Sequence, residues 1–503
     1  MVTEWQYDVV IIGSGLGGLL AGALLSKEGY NVCIVEKNPV FGGNLQTFRR
    51  NGVVFDTGMH YFGSAAKGQF IYKLFKYLGI YDSLKLKRLD IDGFDILNFK
   101  DREYKFAQGF DNFTDTISSY FPTERAAVKK FTETIKKVGF SENMFNLIAK
   151  NNEDFFKVGE HYSQNAFKVI SSLTDDYDLR NVLAGLNGLI GGGRDKTNMF
   201  VFGMTYYSYI ESAWRFVGGS SQLTDALVGV IKQYGGTVIN NAKVTEIILN
   251  EKRTVDSLRT DKNLIVKGKK FISNIHPANT INLLPKNSLR KVYVNRIRRL
   301  ENSISMFSVY LVLKDNMAKY LNYNYFDIFT DSTWADHEAG MDKWPQGYIL
   351  TSQVPERGGE FVSGITIMTP VNPRIFDKWI NTTVEKRGGE YKDFKSELAE
   401  KLLKKVFMRF PEFRAAAKKY YTATPLTFRD YTGTPDGSAY GLIKDSEKPF
   451  ETLVLPKTHI RNLFFTGQNI NVHGLLGVST GSLLTVSYIT DIKRIIKEIN
   501  DAG

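Results

Sequence analysis

Residues Tyr7 to Glu36, YDVVIIGSGLGGLLAGALLSKEGYNVCIVE, decide the fold. They run as an apolar strand from Tyr7 to Ile12, a Gly13-x-Gly15-x-x-Gly18 turn, a helix of small and aliphatic residues, a second strand from Asn31 to Val35, and a terminal acid. In that order the parts make one dinucleotide-binding unit. Gly13 allows the tight turn out of the strand, Gly15 lets backbone approach a pyrophosphate, and Gly18 lets the helix pack close to the strand. The helix N-terminus adds N–H groups and a partial positive charge for phosphate. Glu36, 18 residues after Gly18, is placed to accept hydrogen bonds from both hydroxyls of an adenosine ribose and to repel a 2′-phosphate.

Val9 to Leu25 is also a run of 17 residues without a charge, the pattern of a signal peptide or a short membrane span. Its flanks argue otherwise. Glu4 and Asp8 precede it where a secretory segment carries Lys or Arg, and Gly13, Gly15, Gly17 and Gly18 interrupt it.

The 503 residues are 43% hydrophobic and 23% charged, which suits a large soluble protein of two or three lobes. Cys33 is the only cysteine, so an intrachain disulfide, a redox pair and a cysteine zinc site are all excluded, and a reducing, cytoplasmic setting is expected. The six histidines, His60, His161, His276, His337, His459 and His473, lack the i, i+4 spacing of a helix-borne metal site, so no metal is expected. A net charge of +12 favours an anionic surface, but the lysines are spread along the chain and no nucleic-acid module is present. Gln69 to Arg88, QFIYKLFKYLGIYDSLKLKR, reads as a basic, aromatic helix: one face packs into the core or lies on a membrane, which makes peripheral docking at the inner membrane an expectation.

No internal repeat or low-complexity linker divides the chain, so the lobes are inferred from motifs. Phe41-Gly42-Gly43-Asn44 follows the nucleotide unit. Phe55-Asp56-Thr57-Gly58-Met59-His60-Tyr61-Phe62-Gly63 then alternates glycine and aromatic residues, as backbone passing close to a ligand does. From Phe70 to Trp214 the patterning is mostly helical. Val217-Gly218-Gly219-Ser220 precedes a helix at Leu223 to Tyr234, a Gly235-Gly236 turn, and strands at Thr237 to Asn240, Lys243 to Leu249 and Phe271 to Asn274. Further strands are expected at Met306 to Leu313 and Phe361 to Met368, a helix at Asp393 to Phe407, and a short buried strand at Asn462 to Thr466. After Gly467-Gln468-Asn469 a helix is expected to run to about Asn500. Gly191-Gly192-Gly193 lacks the phosphate-loop spacing and reads as a loop.

On these segments the chain resembles the flavin-dependent superfamily of phytoene desaturases, carotenoid isomerases and all-trans-retinol 13,14-reductases (retinol saturases), itself related in flavin fold to the amine oxidases. The His-Tyr form of the 55–63 string and the Thr466-Gly467-Gln468 form of the last motif look most like the retinol saturase branch and its bacterial relatives. Desaturases usually carry an arginine after the glycine pair, where this chain has Asn44.

The resemblance implies an α/β fold: a Rossmann-type FAD-binding domain, with a parallel sheet and helices on both faces, assembled from residues 1–70, 215–290 and 455–503. It also implies an α+β substrate domain at 291–454, with a helical, membrane-proximal lobe at 71–214. FAD would be held by Gly13, Ser14, Gly15, Leu16 and Gly18 at the pyrophosphate, by Glu36 and Lys37 at the ribose, and by the main chain of Val244 at the adenine. Gly43 and Asn44 would line the flavin and its phosphates, Gly467 and Gln468 the ribityl–phosphate region. Gly477 and Val478 would present N–H groups at a helix start to the flavin pyrimidine ring and so stabilise the reduced cofactor. His60, Tyr61 and His473 are the candidate catalytic acids or bases. Arg429, Tyr431 and Tyr440 are candidates for a substrate tunnel. The implied activity is saturation, desaturation or isomerisation of carbon–carbon double bonds in a hydrophobic isoprenoid or polyene lipid, with an external electron donor or acceptor. An amine oxidase acting on a C–N bond is the second expectation, and a flavin-bound lipid scaffold without turnover is the third.

Overall fold

The structure, a computed structural model, describes residues 6–148, 159–334, 340–355 and 358–503; His337 lies outside the described residues. Strand Tyr7–Ile12 is apolar on both faces and buried, as a central strand of a covered parallel sheet must be. It pairs in parallel with Val32–Val35 on one side and Ile265–Ser273 on the other. Thr237–Ile239 extends the first edge and Leu463–Phe465 joins Ile265–Ser273, so three distant stretches of chain share one sheet. Val255–Thr260 and Val244–Leu249 complete its seven strands as an antiparallel extension.

Helix Leu16–Lys27 packs against helices Ser221–Gln233 and Gly474–Val486. Leu19, Leu20, Leu24 and Leu25 on it are fully buried, each stabilising the fold by roughly 1.5–3 kcal/mol. The carboxyl ends of four parallel strands, at Ile12, Val35, Ser273 and Phe465, open onto one crevice, the place where sheets of this kind bind ligands.

A second seven-stranded sheet runs in the order Ala417–Ala423, Ser305–Leu313, Gly364–Val371, Gly347–Ser352, Asn324–Ile328, Asp95–Phe99, Arg102–Phe106. It is antiparallel except between Asn324–Ile328 and Asp95–Phe99. Helix Gly388–Arg409 lays Leu398, Leu402 and Val406 into its core. The strand expected at Phe361 to Met368 runs from Gly364 to Val371, because Gly364 is where pairing with Ser305–Leu313 begins.

Three expectations need correction. Residues 95–106, inside the stretch read as a helical lobe, are two strands of the second sheet; Asp95 and Asn98 are polar, yet every residue of Asp95–Phe99 is buried. The basic, aromatic segment Gln69 to Arg88 is α-helical only at Phe70–Tyr77, after which Gly79 turns the chain, Tyr81–Ser83 makes a short 3-10 turn and Leu86–Arg88 pairs with Ala213–Phe216. Phe70, Ile71, Leu74 and Phe75 point into the core, so that face is closed to a membrane. The last helix is two, Gly474–Val486 and Ile492–Asp501, the second capped by the Asp491 side chain accepting from the Lys493 N–H. Among the described residues no helix is long and apolar enough to cross a membrane.

Candidate functional site

The crevice of the first sheet continues into a cavity of about 250 Å³ that reaches the face of the second. Its cofactor-side wall is mostly backbone. Gly13 takes φ +90° and donates to the Val35 carbonyl at 2.8 Å, which completes the turn. A methyl group on Gly18 would sit 2.2 Å from the Gly13 carbonyl oxygen. One on Gly17 would sit 2.7 Å from Gly467 Cα and 2.6 Å from Asn274 Oδ1. The cradle therefore closes on glycines from both ends of the chain, with Asn274 between them, and its Nδ2 donates to the Gly13 carbonyl at 3.4 Å. No side chain caps helix Leu16–Lys27, so its N-terminus presents N–H groups to an anion. These features fit a dinucleotide cofactor.

Gly15, Leu16, Gly43, Asn44, Gly467, Gln468, Gly477 and Val478 all lie on the cavity wall. Gly13, Ser14, Gly18, Glu36, Lys37 and Val244 stand behind or beside it. Glu36 is already engaged: Oε2 accepts from the Ser14 N–H at 2.8 Å and the Ser14 hydroxyl at 2.7 Å, and Oε1 from the Asn38 N–H at 2.8 Å. A carboxylate offers about four acceptor positions, so it keeps room for about one ribose hydroxyl rather than two. Lys37 turns away and donates to the Asp430 carbonyl at 2.8 Å, tying the nucleotide sheet to helix Pro425–Thr432. Val244 is packed in the core at the start of its strand, two residues after Ala242, whose N–H donates to the Glu36 carbonyl.

Helix Gly474–Val486 starts three residues before Gly477. The N–H groups left without a helical partner there are those of His473, Gly474, Leu475 and Leu476, while Gly477 and Val478 lie within reach of the helical ladder. The expected charge-stabilising groups thus shift toward the helix start, and all four of those residues line the cavity.

Among the catalytic candidates, His60 is half-buried, and its buried Nδ1 has no partner. Burial, aided by the nearby Arg215 charge, lowers its pKa to about 4, so it is neutral. His473 is likewise lowered to about 4 by burial; its Nε2 lies 2.7 Å from the Leu189 carbonyl, so its one proton is committed there. Tyr440 packs on the His473 ring, 4.5 Å between centroids, and donates to the Gly188 carbonyl. Tyr61 stacks at 4.5 Å on Tyr209 and donates to Asp95 Oδ2 at 2.9 Å. Of the tunnel candidates, Tyr440 lines the cavity, Tyr431 is exposed, and Arg429 is held by Asp430 and the Ile380 carbonyl.

Sequence reading missed several groups. Asp56 in the 55–63 string accepts from the Ser220 N–H and hydroxyl, both at 2.7 Å, which locks that string to the Val217–Ser220 turn; burial raises its pKa to about 6. Asp95 is fully buried and raised to about 7 by desolvation, and Lys444, also buried, donates to the Asn469 carbonyl at 2.6 Å and is lowered to about 7. The available signal was a charged residue inside an apolar run, as in Phe94-Asp95-Ile96-Leu97.

Residues 11–78 match the model of the NAD(P)-binding Rossmann-like domain. An all-trans-retinol 13,14-reductase of Danio rerio is 25% identical over 527 residues, covering 96% of this chain and 86% of that protein. A 4,4′-diapophytoene desaturase (4,4′-diapolycopene-forming) of Methylomonas sp is 24% identical over 333 residues, 61% of each chain. The structure of cyclohexylamine oxidase from Brevibacterium oxydans superposes with a TM-score of 0.60 at 14% identity, covering 98% of this chain and 99% of that one. At that identity the last likeness speaks to the fold alone.

Proposed function

We infer that this chain, a member of the superfamily of retinol saturases, carotenoid isomerases and phytoene desaturases, is an FAD-dependent oxidoreductase acting on carbon–carbon double bonds of a hydrophobic isoprenoid or polyene lipid. One observation carries the reading: the glycine cradle opens, within a single cavity, onto a wall built by Leu189, Met204, Met306, Ile349 and Met368, where an apolar chain can lie against a cofactor. When bound, a flavin supplies hydride to one carbon of the substrate or accepts it from one. Leu16, Gly43, Asn44, Gly467 and Gln468 would position it, and the uncapped start of helix Gly474–Val486 would favour its anionic reduced form. We read the direction as reduction, with an external two-electron donor.

The test is anaerobic and has two arms: the photoreduced bound flavin is mixed with all-trans-retinol or with a carotene, and the oxidised flavin is mixed with putrescine. Reoxidation by a polyene, with loss of its conjugated absorbance, is expected. Reduction of the oxidised flavin by the amine, with no reoxidation of the reduced flavin by a polyene, would overturn the reading in favour of an amine oxidase, and no change in either arm would favour a lipid-binding scaffold. A cytoplasmic enzyme working at the membrane surface where its lipid resides is part of the proposal, and the net charge of +12 supports it. Cosedimentation with anionic liposomes at low salt tests that part independently of turnover.

A further inference from the structure

Four side chains from separate segments form one buried chain of hydrogen bonds leading away from the cavity. The Tyr61 hydroxyl meets Asp95 Oδ2 at 2.9 Å, Asp95 Oδ1 accepts from Asn324 Nδ2 at 2.6 Å, and Asn324 Oδ1 accepts from Arg215 Nη2 at 2.7 Å. Arg215 is 2% exposed and also donates to the Leu321 and Tyr323 carbonyls, both at 2.8 Å, and to the Tyr320 hydroxyl at 3.2 Å. Asp95 and Asn324 are fully buried.

The chain has a direction. A guanidinium has donors only, so the amide oxygen of Asn324 must face Arg215 and its NH2 must face Asp95. Asp95 Oδ1 is thereby an obligate acceptor. A proton on this acid has one place left, Oδ2, beside the Tyr61 oxygen. Tyr61 is a wall residue of the cavity. With Oδ2–H donating to it, its own hydroxyl proton is free to turn into the cavity.

We propose that Tyr61 delivers the proton that completes saturation of the substrate double bond, and that Asp95, oriented by Asn324 and Arg215, is the positioning group that resupplies it. The proposal rests on the reductive reading given above. The π bond breaks as one C–H bond forms with hydride from the reduced flavin, which is oxidised by two electrons; the other carbon takes the Tyr61 proton. The phenolate left behind takes the Oδ2 proton, leaving Asp95 as carboxylate, and solvent restores the acid when the cavity empties. The external donor reduces the cofactor again.

Of the other candidates named on this wall, His473 and Tyr440 are already committed. His473 spends its proton on Leu189 and Tyr440 spends its own on Gly188, while His60 is neutral with no group behind it to resupply it. The ionisable groups facing Asp95 are Tyr61 from the segment before Phe62–Gly63, Tyr206 and Tyr209 from helix Met199–Glu211, and Arg215 from strand Ala213–Phe216. Burial holds Asp95 at about 7, so it carries a proton for a large share of the time at neutral pH.

The experiment uses the flavin-loaded full chain, photoreduced and mixed anaerobically with all-trans-retinol in H2O and in D2O. Wild type in D2O should place solvent deuterium on the carbon that takes the proton as well as on the carbon that takes the exchangeable flavin hydride, and should show a solvent isotope effect on reoxidation that changes in Tyr61→Phe. Tyr61→Phe should slow flavin reoxidation by about 100-fold at unchanged KM. Asp95→Asn should slow it about tenfold, remove the inflection near neutral pH, and remove one component of the infrared carboxylic acid absorption, seen as a band in the wild-type minus variant difference spectrum. The infrared measurement needs no turnover. If wild type is not reoxidised by any polyene, the functional reading fails. If wild type turns over and both variants keep its rate and pH profile, or if the wild-type minus Asp95→Asn difference spectrum holds no carboxylic acid band, the relay is overturned.

Discussion

The two walls of the cavity are built by opposite means. The cofactor side is made of missing atoms: Gly15, Gly17, Gly18 and Gly467 bring backbone from residues hundreds of positions apart to distances a side chain would block. The far side is an apolar lining that includes Tyr61 and is backed there by buried polar atoms that satisfy one another, those of Tyr61, Asp95, Asn324 and Arg215. The first wall breaks when atoms are added and the second when atoms are removed. That difference also decides what each wall does, since an empty cradle can only hold a ligand, whereas a bonded pair of acids, Tyr61 and Asp95, can pass a proton.

The largest effect is expected from Arg215→Met. The apolar side chain fills much of the space but leaves the Leu321 and Tyr323 carbonyls and Asn324 Oδ1 without their donor in the interior. Breaking a buried charged network from one side costs about 3–5 kcal/mol, to be read as a lowered midpoint in urea unfolding. An unchanged midpoint would mean that the far wall is not held by this network and would erase the contrast.

Next comes the dependence of stability on pH. Asp95 is raised from 3.8 to about 7 by burial, so the folded state binds its proton more tightly than the unfolded chain. Its contribution to stability is therefore fully present below about pH 4 and is lost as pH rises toward 7, at up to about 1.4 kcal/mol per pH unit, with no further change above. Asp56, raised to about 6, and Glu142 and Glu211, raised to about 7, push the same way, so the variant isolates the acid of interest. Asp95→Asn, which mimics the protonated form, should match wild type most closely at about pH 4 and exceed it at pH 8 in thermal unfolding. Equal stability at both pH values would show that the acid stays charged in the fold and would remove the proton source from the far wall.

The two walls were also unequally legible. Gly13, Gly15, Gly18 and Glu36 sit within one strand–turn–helix–strand unit, so spacing alone announces them, and the carboxyl ends of the strands deliver them to one crevice. Even there Glu36 was read as free for the ribose, because nothing in the spacing tells that Ser14 and Asn38 take up its oxygens. Bonded neighbours in the relay lie 34 to 229 positions apart, and Asp95 meets Asn324 through pairing of Asp95–Phe99 with Asn324–Ile328, a parallel contact no local pattern encodes. The same contact explains why residues 95–106 leave the helical lobe. The apolar stripe of Gln69 to Arg88 was visible, but amphipathicity says only that one face is covered, and here the covering is the core.

The smallest effects give the sharpest discrimination, because one substitution in two helices should change sign. Gly17→Ala places a methyl 2.7 Å from Gly467 Cα and 2.8 Å from Gly467 N, both backbone, so the loop must move and the cradle with it. Flavin affinity should fall by about 30-fold, roughly 2 kcal/mol, in fluorescence titration of the apoprotein. Gly229 lies in helix Ser221–Gln233, is exposed, and has nothing within 4 Å of the position a methyl would take. Gly229→Ala removes backbone freedom from the unfolded chain at no steric cost and should raise stability by about 0.5–1 kcal/mol with flavin affinity unchanged. If both variants bind flavin equally well, the glycines of the cradle are helix residues like any other, and the approach of backbone from the two ends of the chain has no part in holding the cofactor.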